Sequence, residues 1–270
     1  MNPSTRPAQP SLMLHELIDL SRYPIDDASF RASCKAQLDA HGVLLIPEFL
    51  NNSTIETIAS EGDTNQDKAF YTVSDHNVYL MPEDTDYAKD HPRNRLVSSS
   101  KGCITTDQIA PHSPLRTLYN NDDFKAFLCS VLNEQALFEY ADPLSSINLH
   151  YASEGQELGW HFDNSSFAIT LLIQEPEAGG SFEFVKDLRD TAAGDMSYEK
   201  AGDVLNGKAQ TEALDMNAGC LVLFRGRDSM HRVTPTKGHK IRMLVVLAYN
   251  TEPDISLSES ARMTFYGRLG

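Results

Sequence analysis

In the run GWHFDNSSF, residues 159–167, His161 and Asp163 stand two positions apart. On a strand, residues i and i+2 project to the same side with Cα atoms roughly 6.5 Å apart, so an imidazole and a carboxylate at this spacing can converge on one ion. On a helix the same spacing aims them apart. A third donor comes from His231 in SMHRVTP, at the start of another apolar strand. Two neutral imidazoles and one carboxylate on one face form the facial triad of non-haem Fe(II) oxygenases, which leaves three coordination positions open for chemistry. An HxD pair alone is a weak signal, because short motifs often match by chance. Its weight here comes from β-rich surroundings, the distal histidine and Arg242, which interrupts the apolar run KIRMLVV. A buried guanidinium is costly unless it meets an anion, and its fork suits a carboxylate. Arg242 therefore predicts an acidic ligand inside the fold.

The elements that must position these groups are short. SSINLHYA, WHFD, FAITLLIQ, GSFEFV, QTEAL, GCLVLF, MHRVT and KIRMLVVLAYN are β-rich runs separated by glycine, proline or acidic turns. Such a series predicts a mostly β fold, a double-stranded β-helix (jelly roll, cupin-like) core, with supporting N-terminal α-helices packed outside it. DDASFRASCKAQLDAHG and NNSTIETIASEG read as capped helices, and VLLIPEFL between them as a buried strand. A long polar loop is expected over 82–106, where an ordered role would be that of a lid. Residues 113–134 read as one or two helices, with Asp122 and Asp123 placed to cap the second, and the insertion over 187–208 as holding a short helix. The expected organisation is a flexible tail over 1–12 and a single domain over 13–270. Within it the helical and lid part runs to about 134, the jelly-roll core spans about 135–250, and a C-terminal segment covers 251–270.

Composition narrows the function. The 270 residues carry a net charge of −15, so the chain repels a phosphate backbone, and nucleic acid is a poor partner. No apolar run reaches the length of a membrane span, and the proline-containing N-terminus lacks the apolar stretch of a secretory signal. Cys34, Cys103, Cys129 and Cys220 show no CxxC spacing, which suits reduced thiols in a cytoplasm.

Taken in order, HFD, MHRVTP and IRMLVV resemble the Fe(II)/2-oxoglutarate-dependent dioxygenase superfamily over about residues 145–250. The resemblance implies that His161, Asp163 and His231 bind Fe(II) and that 2-oxoglutarate chelates it through its keto and C1 carboxylate oxygens. Arg242 would hold the C5 carboxylate, and O2 would be the second cosubstrate. HNVYL (76–80), DHPRN (90–94), EAGGSFEFV (177–185) and FYGR (265–268) are further similar to enzymes that halogenate or hydroxylate free amino acids such as lysine. Halogenases of that branch carry glycine or alanine where Asp163 stands, which vacates a position for chloride. The carboxylate here therefore implies a hydroxylase, releasing succinate and CO2. By the same resemblance Arg93, with Arg95 beside it, pins a substrate carboxylate under a lid, and Asn164 touches the substrate. Lysine-acting relatives have an acid at that position, so Asn164 points to another amino acid or small polar metabolite.

Alternatives stay open. A desaturase or cyclase would use the same ligands, a cupin-like metal enzyme without 2-oxoglutarate would not require Arg242, and a barrel that only binds a ligand would not require iron. Read plainly, Arg225 and Arg227 lie in solvent or pair with Asp228, and His76 and His91 sit in loops. His150 is a packed histidine, and Trp160 and Phe167 are core or pocket wall. The oligomeric state is left open.

Overall fold

The computed structural model describes residues 12–270. The tail expected over 1–12 falls, but for its last residue, outside the described residues. The first part contains α1 (Leu14–Leu17), α2 (Ala28–His41), β1 (Val43–Ile46), α3 (Asn52–Asn65), β2 (Phe70–Asn77), β3 (Leu96–Ile104), α4 (Pro114–Asn120) and α5 (Asp122–Leu132). Asp27 starts α2 by accepting from the Phe30 amide, and Gly42 ends it at φ 71° in the left-handed region that favours glycine. Asn51 caps α3 in the same way, through the Thr54 amide.

The second part contains β4 (Ile147–Ala152), β5 (Leu158–His161), β6 (Ala168–Gln174), β7 (Ala178–Gly179), β8 (Phe182–Val185), α6 (Tyr198–Leu205), β9 (Glu212–Ala213), β10 (Leu221–Phe224), β11 (Met230–Val233), β12 (Thr236–Lys237), β13 (Arg242–Leu247) and α7 (Glu259–Tyr266). The main sheet runs β1-β10-β6-β13-β4-β3-β5-β11-β8-β9, with β2 hydrogen-bonded to β3, and β7 and β12 form a separate pair. The sheet curls back on itself: Phe182 of β8 meets Phe224 of β10 edge to face, with ring centroids 5.0 Å apart, although the two strands lie toward opposite ends of the strand order. The result is the jelly-roll core expected from the strand texture.

Strand periodicity divides the sheet into two faces. On β13, Met243 and Val245 turn toward the helices and join a core with Leu38, Phe49, Phe124 and Phe127, while Arg242, Leu244 and Val246 line an interior cavity. Met243 and Val245 are fully buried, and each such side chain contributes about 1.5–3 kcal/mol. Tyr151 of β4 also faces the helices, where its hydroxyl donates to the Gly62 carbonyl at 2.7 Å. The helical layer thus braces one face of the strands whose other face builds the site.

Three local expectations are corrected. The loop expected over 82–106 ends at Arg95, because Leu96–Ile104 pairs along its length with β2, a strand the polar sequence did not signal. α5 is capped by Asn121, whose side chain accepts from the Phe124 amide; Asp122 and Asp123 lie inside the first turn, where their charge complements the helix dipole. β5 stops at His161, so Asp163 lies just past the strand. The C-terminal segment forms α7, capped by Ser258.

Candidate metal centre and its cavities

β5 and β11 are adjacent antiparallel strands, and His161 and His231 are direct register partners. A single ladder thus sets both imidazoles side by side. Asp163 joins them because its amide donates to the Gly226 carbonyl at 3.0 Å, which fixes the chain beyond the strand end. Asp163 Oδ1 lies 3.8 Å from His161 Nε2 and 3.5 Å from His231 Nε2. One donor atom from each residue falls within 4.8 Å of the others.

The outer contacts fix which nitrogen faces this point. His161 Nδ1 lies 2.7 Å from the Gly159 carbonyl and His231 Nδ1 lies 3.0 Å from the Ser229 carbonyl. A carbonyl only accepts, so each Nδ1 carries the proton and each Nε2 presents a lone pair. Burial, with His231 alongside, pushes the His161 pKa down to about 3. Burial alone would raise that of Asp163, but the facing His231 and His161 outweigh it and hold the carboxylate below its usual range. His161 is therefore a neutral imidazole and Asp163 a carboxylate at neutral pH, the protonation that metal ligands require. Asp163 Oδ2 is buried without a hydrogen-bond partner, an expensive state for a carboxylate oxygen that a cation would relieve. Gly226 makes this placement possible: a Cβ there would stand 1.9 Å from Asp163 Oδ2. The donor set fits Fe(II).

The triad forms part of the wall of a cavity of about 270 Å³, lined also by Lys101, His150, Thr170, Arg242 and Leu244 among others. Arg242 is 6 % exposed, and burial draws its pKa down to about 10 with no carboxylate beside it. Gly180, at φ 62°, clears its path, since a Cβ there would meet Arg242 Cδ at 2.8 Å. The unpaired guanidinium fits the carboxylate of an acidic ligand such as 2-oxoglutarate. Lys101 and His150 were not among the sequence-derived ligand candidates. Alternation along β3 carries the only signal for Lys101, and its serine-rich context hides it.

A separate cleft of about 790 Å³ is lined by His76, Leu80, Asn94, Asn164 and Phe265 among others, and by none of the three triad residues. His76 joins cleft to metal centre: its ring stands edge-on to His161 with centroids 6.1 Å apart, and its Nε2 lies 2.7 Å from Ser99 Oγ. Asn164 thus reaches the cleft. Arg93 does not line it; the residue is 6 % exposed, with Nη2 donating to the Pro82 carbonyl at 3.0 Å and Nη1 buried without a partner. Arg95 bonds Asn206 and Leu205 beside α6. Arg225 pairs with Asp39, and Arg227 donates to the Asn164 carbonyl, so neither uses Asp228, which sits 3.8 Å from Arg189. Trp160 packs under the Arg232 guanidinium, and Phe167 forms part of the cavity wall. Among the described residues no helix is long and apolar enough to cross a membrane.

Comparison with known proteins places this geometry. A search of curated proteins finds no match. Among solved structures, a 2OG-Fe(II) oxygenase family oxidoreductase from Burkholderia pseudomallei aligns with TM-score 0.50 and 13% identity over 84% of this chain and 93% of its own. The epimerase SnoN of nogalamycin biosynthesis, solved with Fe3+, alpha ketoglutarate and nogalamycin RO, aligns with TM-score 0.55 and 12% identity over 83% of this chain and 84% of its own. The non-heme alpha ketoglutarate dependent carbocyclase SnoK aligns with TM-score 0.53 and 9% identity over 80% and 82%. At these identities the likeness is one of fold. The family model described as HalD, Halogenase D, matches residues 27–265. With most of its length matched, the chain belongs to the Halogenase D family and is a non-haem iron dioxygenase.

Proposed function

We propose that the chain is an Fe(II)- and 2-oxoglutarate-dependent hydroxylase of an unactivated C–H bond in a small polar metabolite, a free amino acid or a derivative of one. The observation that carries this reading is the Asp163 carboxylate, set within reach of both imidazole Nε2 atoms with its second oxygen buried and unpartnered. A halogenase of the branch that the sequence resembles would have no carboxylate there. In this proposal His161, Asp163 and His231 hold the iron, which when bound supplies oxygen activation coupled to decarboxylation of the cosubstrate to succinate and CO2. Arg242 anchors the C5 carboxylate, and the lack of a carboxylate partner for it among the described residues speaks against a cupin-like enzyme with no acidic cosubstrate.

The substrate is assigned to the cleft beside His76, where Asn164 and Asn94 offer neutral hydrogen-bonding groups and Leu80 and Phe265 apolar surface. Arg93 is assigned the substrate carboxylate, which would satisfy its unpartnered Nη1 once the loop over 82–95 shifts toward the cleft. The chain's own groups bind, orient and exclude water; none is needed as a proton carrier. The test is a succinate-release screen over amino acids and related metabolites, with product masses. A product heavier by one oxygen supports hydroxylation, loss of two hydrogens indicates desaturation or cyclisation, and no succinate with any compound defeats the reading.

A further inference from the structure

We propose that Lys101 is the second cationic anchor of the dicarboxylate cosubstrate, holding its keto-acid end beside the metal while Arg242 holds the far carboxylate. The inference rests on the cosubstrate reading above. Two registers place the pair: Gly102 lies opposite Tyr151 and Cys103 opposite His150 across β3 and β4, while Arg242 lies opposite Ala152 and Leu244 opposite His150 across β13 and β4. Continuing the β3–β4 ladder by one residue brings Lys101 to the level of Ala152. Lys101 and Arg242 thus flank the same small residue from either side of β4, and both line the cavity. With strands about 4.8 Å apart, their Cα atoms are separated by roughly 10 Å.

The Lys101 ammonium donates to His150, 3.2 Å from Nε2 and 3.4 Å from Nδ1. That contact orients it without neutralising it, because burial, and then the charges of Lys101 and Arg242, keep the His150 imidazole uncharged. His150 therefore feels both cations and lies between them. Burial draws the Lys101 pKa down, and the charges of Cys103 and Asp163 oppose that; Asp163 is the one carboxylate among these neighbours, and it belongs to the metal-binding set. Two separated cations and one spent carboxylate leave the cavity short of two negative charges. A dicarboxylate whose far end meets Arg242 and whose other end approaches the metal supplies both, one at each cation. A keto acid lacking the far carboxylate should then depend on Lys101 and not on Arg242.

The experiment titrates anaerobic Fe(II)-loaded protein with 2-oxoglutarate and with 2-oxobutyrate, which lacks the far carboxylate, following heat and the visible charge-transfer band. Lys101→Met is expected to weaken both ligands by a similar factor, about tenfold or more for a lost charged hydrogen bond, and to shift the band. Arg242→Met is expected to weaken 2-oxoglutarate and spare 2-oxobutyrate. Lys101→Arg, which keeps the charge, should recover most of the affinity, and serves as the folded comparison if Lys101→Met melts early. Affinity for 2-oxoglutarate within twofold of wild type in Lys101→Met overturns the proposal, as does weakening of 2-oxoglutarate with 2-oxobutyrate spared. Wild-type protein that loads Fe(II) but binds neither ligand overturns the cosubstrate reading itself, an outcome distinct from a failure of Lys101 alone.

Discussion

Gly226→Ala is the most exacting perturbation of the metal centre, because it adds one carbon and removes no ligand. The new Cβ would stand 1.9 Å from Asp163 Oδ2 and 2.6 Å from its Cγ. To reach the 3.0 Å that real Cβ contacts observe, the carboxylate oxygen must retreat by at least about 1.1 Å. Metal–ligand distances tolerate about 0.2 Å, so a shift of this size takes the carboxylate out of the coordination sphere. The alternative, displacing the Gly226 backbone, breaks its carbonyl's bond to the Asp163 amide. The expected result is a loss of at least about 10–100-fold in Fe(II) affinity, together with about 1–3 kcal/mol of overpacking strain in the metal-free protein. The assay is anaerobic Fe(II) titration in the presence of 2-oxoglutarate, paired with thermal melting without metal. The double variant Gly226→Ala/Asp163→Gly removes the clash and should regain the melting temperature of Asp163→Gly alone while still binding iron poorly. Wild-type iron affinity in Gly226→Ala, or strain that persists in the double variant, refutes the placement of Asp163 against Gly226.

Three further outcomes are expected. Asp163→Gly should lose most hydroxylation and gain some chlorination in excess chloride, and unimpaired hydroxylation would remove Asp163 from the iron. His150 and His161 have folded pKa values depressed below the ordinary 6.5, the latter to about 3, so below pH 6.5 the unfolded chain binds more protons than the native one. The histidine contribution to metal-free stability should therefore be level between pH 7 and 8 and fall as the pH drops below 6.5, by up to about 1.4 kcal/mol per unit for each histidine; melts unchanged between pH 7 and 5 would contradict their neutral burial. Asn121→Ala removes the α5 cap and should cost about 1 kcal/mol, or roughly 2–4 °C in Tm at this chain length, with Asp122→Ala costing less. An equal loss from both would reassign the cap.

The residues most legible in the sequence are those whose burial is unfavourable without a purpose. Arg242 stands out because its neighbours are apolar, and His161, Asp163 and His231 because their spacing suits a shared ion. The apolar runs at 168–174, 221–224 and 242–247 identify themselves as strands for the same reason. What was hidden depends on pairing. β2 and β3 carry serine, lysine and aspartate on a partly exposed hairpin, so their hydrogen bonds to each other, and not hydrophobicity, define them. That hairpin in turn brings His76 to the metal centre and Lys101 into the cavity, both invisible to a reading that treats the segment as loop. The adjacency of β5 and β11 is likewise a property of sheet order, which short strands do not encode locally. Arg93 is legible only through the resemblance, since its own loop holds it through Pro82.

A crystal structure of the protein grown anaerobically with 2-oxoglutarate and Mn(II) as an iron substitute would show directly whether His161, Asp163 and His231 share one metal ion. The expected map shows a single metal anomalous peak bonded to His161 Nε2, His231 Nε2 and an Asp163 oxygen, with the far carboxylate of the cosubstrate on the Arg242 guanidinium. A metal bound at other residues, or a dicarboxylate that leaves Arg242 unengaged, would contradict it.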